Sequence, residues 1–200
     1  MHIDQKQKLK WAILTTGWGR NAKDTILAYQ EGLLQNSSIN LLIYQSEPSG
    51  AHEAAQLAGI PAIRLVKKNF VDTISYQQKL VALLKEHHID YVFLLSYKYI
   101  VRKPLLDNYP NRIINIHPSL FPSFLATTTA IQEALDFGVK ISGITTHIID
   151  DKIDEGTILC QEPIRFDEGE TFETVYPKFA MMGKKIILDT IQLIEKKSNT

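Results

Sequence analysis

Apolar positions in the first half of the chain alternate between short β-rich runs and stretches with helical spacing. Residues 11–15 (Trp-Ala-Ile-Leu-Thr) read as a strand that ends in Gly17-Trp18-Gly19. Ala22, Ile26, Tyr29 and Leu33 follow at 4-3-4 spacing, which predicts a helix from Asn21. The rhythm repeats with a strand at 39–44, a helix near 51–58 stopped by Gly59 and Pro61, and a strand at 62–66. A further helix over 74–87 and a strand at 91–95 complete a β-α-β-α-β-α-β order. That order predicts a parallel sheet covered on both faces.

The second half changes period. Residues 113–116 form a fifth strand running into a loop stiffened by Pro118 and Pro122. A helix at 130–137 ends at Gly138, and two long strands, 141–148 and 157–166, are joined antiparallel by an acidic loop. A closing helix is expected from about Thr174, with Pro177 in its first turn. The fold class is therefore α/β: a Rossmann-like, mostly parallel sheet with a mixed, antiparallel C-terminal extension. One domain is expected over 1–200, with residues 1–8 and the tail 198–200 loose.

Composition narrows the function. Twenty-two Lys+Arg balance 22 Asp+Glu, which argues against a protein that grips nucleic acid through its phosphates. One cysteine, Cys160, excludes an internal disulfide and four-cysteine zinc frameworks, and it reads as a small buried hydrophobe. No apolar run approaches a membrane span and no signal-peptide core stands at the start, so a cytoplasmic chain without membrane contact is expected.

Ligands of open parallel sheets collect beyond the carboxyl ends of the strands, where three features fall. Gly17-Trp18-Gly19-Arg20-Asn21-Ala22 offers close backbone approach, free N–H groups of a helix start, and a cation. It matches G-x-G-x-x-A, but the next strand ends Tyr44-Gln45-Ser46 without the carboxylate a dinucleotide ribose requires. A phosphate on a smaller substrate fits better; a plain tight turn is the alternative. Asn115 and His117 stand two apart on a strand and so face one side, an amide and an imidazole suited to an oxyanion. Two such residues alone read first as a loop-capping histidine and a backbone-satisfying amide. His147 and the acidic loop 149–156 come third: a carboxylate near His117 would sustain its charge and pass protons. Zinc on His117, His147 and an aspartate lacks local ligand spacing, so no metal is expected. An acidic loop is by default a solvated hairpin tip.

Taken together, Asn115-Ile116-His117-Pro118-Ser119-Leu120-Phe121-Pro122, Gly143-Ile144-Thr145-Thr146-His147 and Asp154-Glu155-Gly156-Thr157-Ile158-Leu159-Cys160-Gln161 strongly resemble the folate-dependent formyltransferase family over residues 10–195. The resemblance implies 10-formyltetrahydrofolate as formyl donor and co-substrate. It implies Asn115, His117 and Asp154 as the catalytic group, with Thr145 and His147 supporting them. It places a phosphorylated amine acceptor at Gly17, Gly19, Arg20 and Asn21, in a substrate-phosphate half over 10–110, with Pro118 as a further substrate-binding residue. A catalytic and folate-binding half then covers 111–196. The pterin pocket falls on Tyr99, Ile100 and Val101 and on the backbone of 148–153, including Ile148, Ile149 and Asp150. Length and the glycine loop are most similar to members that formylate glycinamide ribonucleotide in purine synthesis, acting as monomer or homodimer.

The sequence also departs from those members. The loop 124–129 is one residue longer than theirs, and Met182-Gly183-Lys184 stands where they carry Glu-His. A glycine there is more like formyltransferases of sugar nucleotides and methionyl-tRNA. An amino-sugar nucleotide acceptor is therefore the alternative, and a non-catalytic folate- or nucleotide-binding relative is the alternative of another class.

Overall fold

Alternation within each strand decides which helices cover which face. In a computed structural model, described here for residues 8–152 and 154–198, β1 (Leu9–Leu14) turns Trp11 and Ile13 to one side and Ala12 and Leu14 to the other. The first side packs against α1 (Arg20–Gln30), α2 (Gly50–Leu57) and α6 (Phe172–Lys197) through Ile26, Ala54, Ile187 and Ile191. The second packs against α3 (Thr73–Glu86) and α4 (Lys103–Asn108) through Tyr76, Leu80, Leu84 and Leu105. Period-2 burial on both faces is what a buried parallel sheet requires.

The remaining strands are β2 (Ser37–Tyr44), β3 (Ala62–Arg64), β4 (Tyr91–Leu94), β5 (Ile113–His117), β6 (Ile141–Ile148) and β7 (Ile158–Arg165). They form one seven-stranded sheet in the order β3-β2-β1-β4-β5-β6-β7. Strands β1 to β5 are parallel, and β6 and β7 add on antiparallel. A third apolar cluster joins α5 (Ala130–Phe137), β6, β7 and α6 through Ile131, Ile144, Ile164, Val175 and Phe179. Cys160 is half-buried at the edge of that cluster rather than fully enclosed.

Four local expectations need correction. Helix α1 stops at Gln30, because Gly32 turns the chain at φ +77° and delivers Leu34, not Leu33, to the core. Strand β3 is short because only three of its residues pair with β2 at the sheet edge. Helix α4 has no counterpart in the sequence reading: six residues are too few to show a period, and Pro104 sits in its first turn, where proline is tolerated. Helix α6 begins at Phe172, behind a capping box of Thr171 and Thr174, so Pro177 lies beyond the first turn.

The strand order reverses between β1 and β4, and the loops leaving those strands are stitched together. The Thr16 amide and hydroxyl both donate to the Ser96 carbonyl, at 3.2 and 3.0 Å, and the Lys98 amide donates to Thr16 Oγ1 at 3.1 Å. A switch point of this kind opens a crevice at the carboxyl ends of the strands.

Candidate active site

A cavity of about 800 Å³ opens at that switch point. Asn115 and His117 face it from β5, and Asp154 faces it from the turn between β6 and β7. Asp154 is 9% exposed, so it departs from the solvated tip that composition suggests, whereas Asp150, Asp151, Lys152 and Glu155 around it are exposed. Its backbone is left-handed, at φ +55°, which carries the carboxyl back toward the sheet. His117 Nδ1 lies 3.6 Å from Asp154 Oδ2, and His147 Nε2 lies 3.6 Å from Asp154 Oδ1. One carboxylate thus faces two imidazoles.

Each ring has further partners. His117 Nε2 is 2.8 Å from the Phe124 carbonyl, and a carbonyl only accepts, so that nitrogen carries a proton. A second proton on Nδ1 makes the ring a cation opposite Asp154. His147 is wholly buried, and desolvation is the main cause that holds its pKa below the ordinary value, against the attraction of Asp154. Its Nδ1 is 3.3 Å from the Ile148 carbonyl. The neutral tautomer with the proton there presents the Nε2 lone pair to Asn115 Nδ2, 3.3 Å away. That contact fixes the Asn115 amide and leaves its second N–H without a partner among the described residues. Among the described residues no set of three His, Cys, Asp or Glu is arranged to hold a metal ion, and none of the helices is long and apolar enough to cross a membrane.

Asn115, His117 and Asp154 therefore pair a fixed hydrogen-bond donor with a chargeable ring and a carboxylate in one solvent-reachable cavity. No protein nucleophile is among them, so the set suits direct attack of one bound substrate on another.

Comparison with known proteins bears on which transfer this is. The family model for formyl transferase matches residues 9–191. The chain belongs to the formyl transferase family. It is 31% identical over 176 residues to phosphoribosylglycinamide formyltransferase of Bacillus subtilis (strain 168), covering 88% of this chain and 89% of that protein. A crystal structure of phosphoribosylglycinamide formyltransferase from Bacillus halodurans is 33% identical, with TM-score 0.88, over 94% of this chain and 96% of that one. Glycinamide ribonucleotide transformylase 1 from Symbiobacterium toebii superposes with TM-score 0.90 at 29% identity, over 95% of this chain and 89% of that one.

The other candidate residues of this formyl transferase divide between cavity and support. Pro118, Tyr99, Ile100, Val101, Ile149, Asp150 and Asn21 line the cavity, whereas Ile148 does not, and Ile153 lies outside the described residues. Residues 1–7 and 199–200, expected to be loose, also lie outside them. Thr145 is fully buried behind the cavity and clamps the loop after β5. Its hydroxyl donates to the Ser119 carbonyl at 2.8 Å and accepts from the Phe121 amide and Gln161 Nε2, each at 3.1 Å.

The glycine loop borders the cavity rather than lining it, and its two glycines differ. A Cβ on Gly19 would meet Ala51 Cβ at 2.7 Å, and its φ is +82°, so this glycine is required by packing and backbone. A Cβ on Gly17 would meet nothing within 4 Å. In sequence both glycines stand as sites of ligand approach; only Gly17 lacks a structural reason of its own.

One wall escaped the sequence reading. Phe172, Tyr176, Phe179 and Ala180 of α6 line the cavity, as do Tyr97 and Lys98. The closing helix is expected from about Thr174, which leaves Phe172 outside it, and apolar residues at helical spacing carry no mark of a ligand wall. Phe179 does both jobs, being buried in the third cluster as well.

Proposed function

We propose that this formyl transferase moves the formyl group of 10-formyltetrahydrofolate to the amine of glycinamide ribonucleotide, a step of purine synthesis, in the cytoplasm. The observation that carries this reading is the convergence of Asn115, His117 and Asp154 on one cavity in a chain similar throughout to enzymes named for that acceptor. The acceptor amine attacks the formyl carbon, and the carbonyl oxygen becomes an oxyanion. The free N–H of Asn115 donates to it, and protonated His117, paired with Asp154, supplies positive charge beside it. Asp154 then relays a proton from the ammonium of the tetrahedral intermediate to the folate nitrogen as the C–N bond breaks. The folate ring system is assigned to the pocket of Tyr99, Ile100, Val101 and Ile149. Every side chain given a role comes from one chain, so monomer and homodimer serve equally.

The phosphate of the acceptor is assigned to the loop 17–21, at the α1 N-terminus, with Arg20 as an exposed outer charge. Gly17→Ala is expected to raise the acceptor KM about tenfold, equivalent to about 1.4 kcal/mol. The folate KM and the melting temperature stay near wild type, because the added methyl meets no protein atom within 4 Å. Steady-state kinetics with each substrate varied in turn decide the matter. An equal effect on both KM values, or none, removes the phosphate from this loop. Gly19 is the wrong site for such a test, since a side chain there displaces α2 before any ligand is met.

Gly183 favoured an amino-sugar acceptor in sequence, but the structure gives it a local reason. A Cβ there would press on Asn21 Oδ1 at 3.1 Å, so glycine lets α6 approach a residue that lines the cavity.

A further inference from the structure

We propose that Phe121 is a positioning residue for this reaction: its ring lies against both the His117 and His147 imidazoles and keeps water from His147. The inference rests on the reading in which Asn115 holds the oxyanion, and it adds how Asn115 is kept aligned.

Phe121 is absent from the cavity wall, yet its ring centroid lies 5.4 Å from that of His117 and 4.8 Å from that of His147, each tilted by 52°. Its backbone is pinned on both sides. The amide donates to Thr145 Oγ1 at 3.1 Å, and the carbonyl accepts from Gln161 Nε2 at 3.1 Å. His117, Thr145 and Gln161 are register partners on β5, β6 and β7, so three adjacent strands fix this one ring. The clamp gives Thr145 and Gln161 a purpose without contact to either substrate.

The consequence concerns protonation. Asn115 is aligned by the Nε2 lone pair of His147, which exists only while that ring is neutral. The titratable groups facing His147 are Asp154, His117 and Asp150. The two carboxylates favour a proton on it, and burial outweighs them. Of these groups, His117 comes from β5, beside Asn115, and opposes the proton; the register partner of His147 on β7 is the uncharged Ile158. Opening the Phe121 wall admits water and weakens the desolvation. His147 then takes a proton, its lone pair is lost, and Nε2–H turns to Asp154 Oδ1 instead of holding Asn115.

Histidine side-chain NMR titration tests this without reference to turnover. Phe121→Ala should move the His147 pKa up toward its ordinary value of 6.5, with Phe121→Leu keeping it where the wild type has it. The acidic limb of the kcat profile should move upward in Phe121→Ala alone, with both KM values unchanged. If the alanine variant does not fold, Phe121→Val carries the same expectation at smaller amplitude. A folded alanine or valine variant with an unmoved His147 titration overturns the proposal, as does a leucine variant that shifts as far as alanine. Failure of the Asn115 reading looks different: Asn115→Ala would keep its turnover while the Phe121 titrations still behaved as described.

Discussion

Asp154→Asn should lower kcat by two or more orders of magnitude while leaving the fold and both KM values within a few-fold of wild type. The reasoning starts from the backbone. Asp154 sits at φ +55°, a conformation asparagine tolerates well, so the turn survives the change. The carboxamide oxygen can still accept from the Ala126 amide, which reaches Asp154 Oδ2 at 2.9 Å in the native site. What is lost is charge and basicity. The carboxylate no longer sets a negative charge 3.6 Å from His117 Nδ1, and it no longer carries a proton from amine to leaving nitrogen. Loss of both lowers kcat and kcat/KM together, as for an interaction made in the transition state. Two orders of magnitude in rate is about 2.7 kcal/mol of barrier. Steady-state kinetics, with circular dichroism to verify the fold, measure it directly. Wild-type turnover in a folded Asp154→Asn enzyme removes Asp154 from the mechanism.

Asn115→Ala should cost roughly 10²–10³ in kcat, about 2.7–4 kcal/mol, because it deletes the aligned donor to the oxyanion. This variant also carries a stability penalty that the first does not. His147 is fully buried, and without Asn115 its Nε2 loses a hydrogen-bond partner at 3.3 Å. Leaving one buried polar atom unpaired costs about 1–3 kcal/mol. Denaturant unfolding should therefore show a lower midpoint alongside the kinetic loss. A stability loss with intact kcat would make Asn115 a partner of His147 and nothing more.

The fold was largely legible because its signals are local. Strands such as 91–95 are apolar on both faces, and helix stops such as Gly138 need only a left-handed residue, here φ +77°. The reading erred where a boundary depends on a partner. Leu33 continues the helical spacing of α1, yet Gly32 had already turned the chain away. Strand β3 ends where β2 stops offering hydrogen bonds, which no pattern within 62–66 reveals.

The candidate site was legible in a different way. Asn115 and His117 share a face because of strand periodicity, but bringing Asp154 to them depends on a turn between β6 and β7 that only the fold supplies. The distinct tasks of Gly17 and Gly19 were closed to sequence reading, since Ala51 crowds one and nothing crowds the other. The α6 wall was missed for a similar reason: Phe172 and Tyr176 belong to no motif that marks them, and only the packing of α6 brings them to the cavity.

The central claim is the identity of the transfer, and one assay meets it directly. The purified enzyme is supplied with 10-formyl-5,8-dideazafolate and, in parallel, with glycinamide ribonucleotide and a panel of amino-sugar nucleotides, and release of the deformylated folate is followed. The account predicts saturable formylation of glycinamide ribonucleotide, with kcat/KM at least about a hundredfold above any other acceptor, a difference of about 2.7 kcal/mol. Turnover on an amino-sugar nucleotide with none on glycinamide ribonucleotide would contradict it.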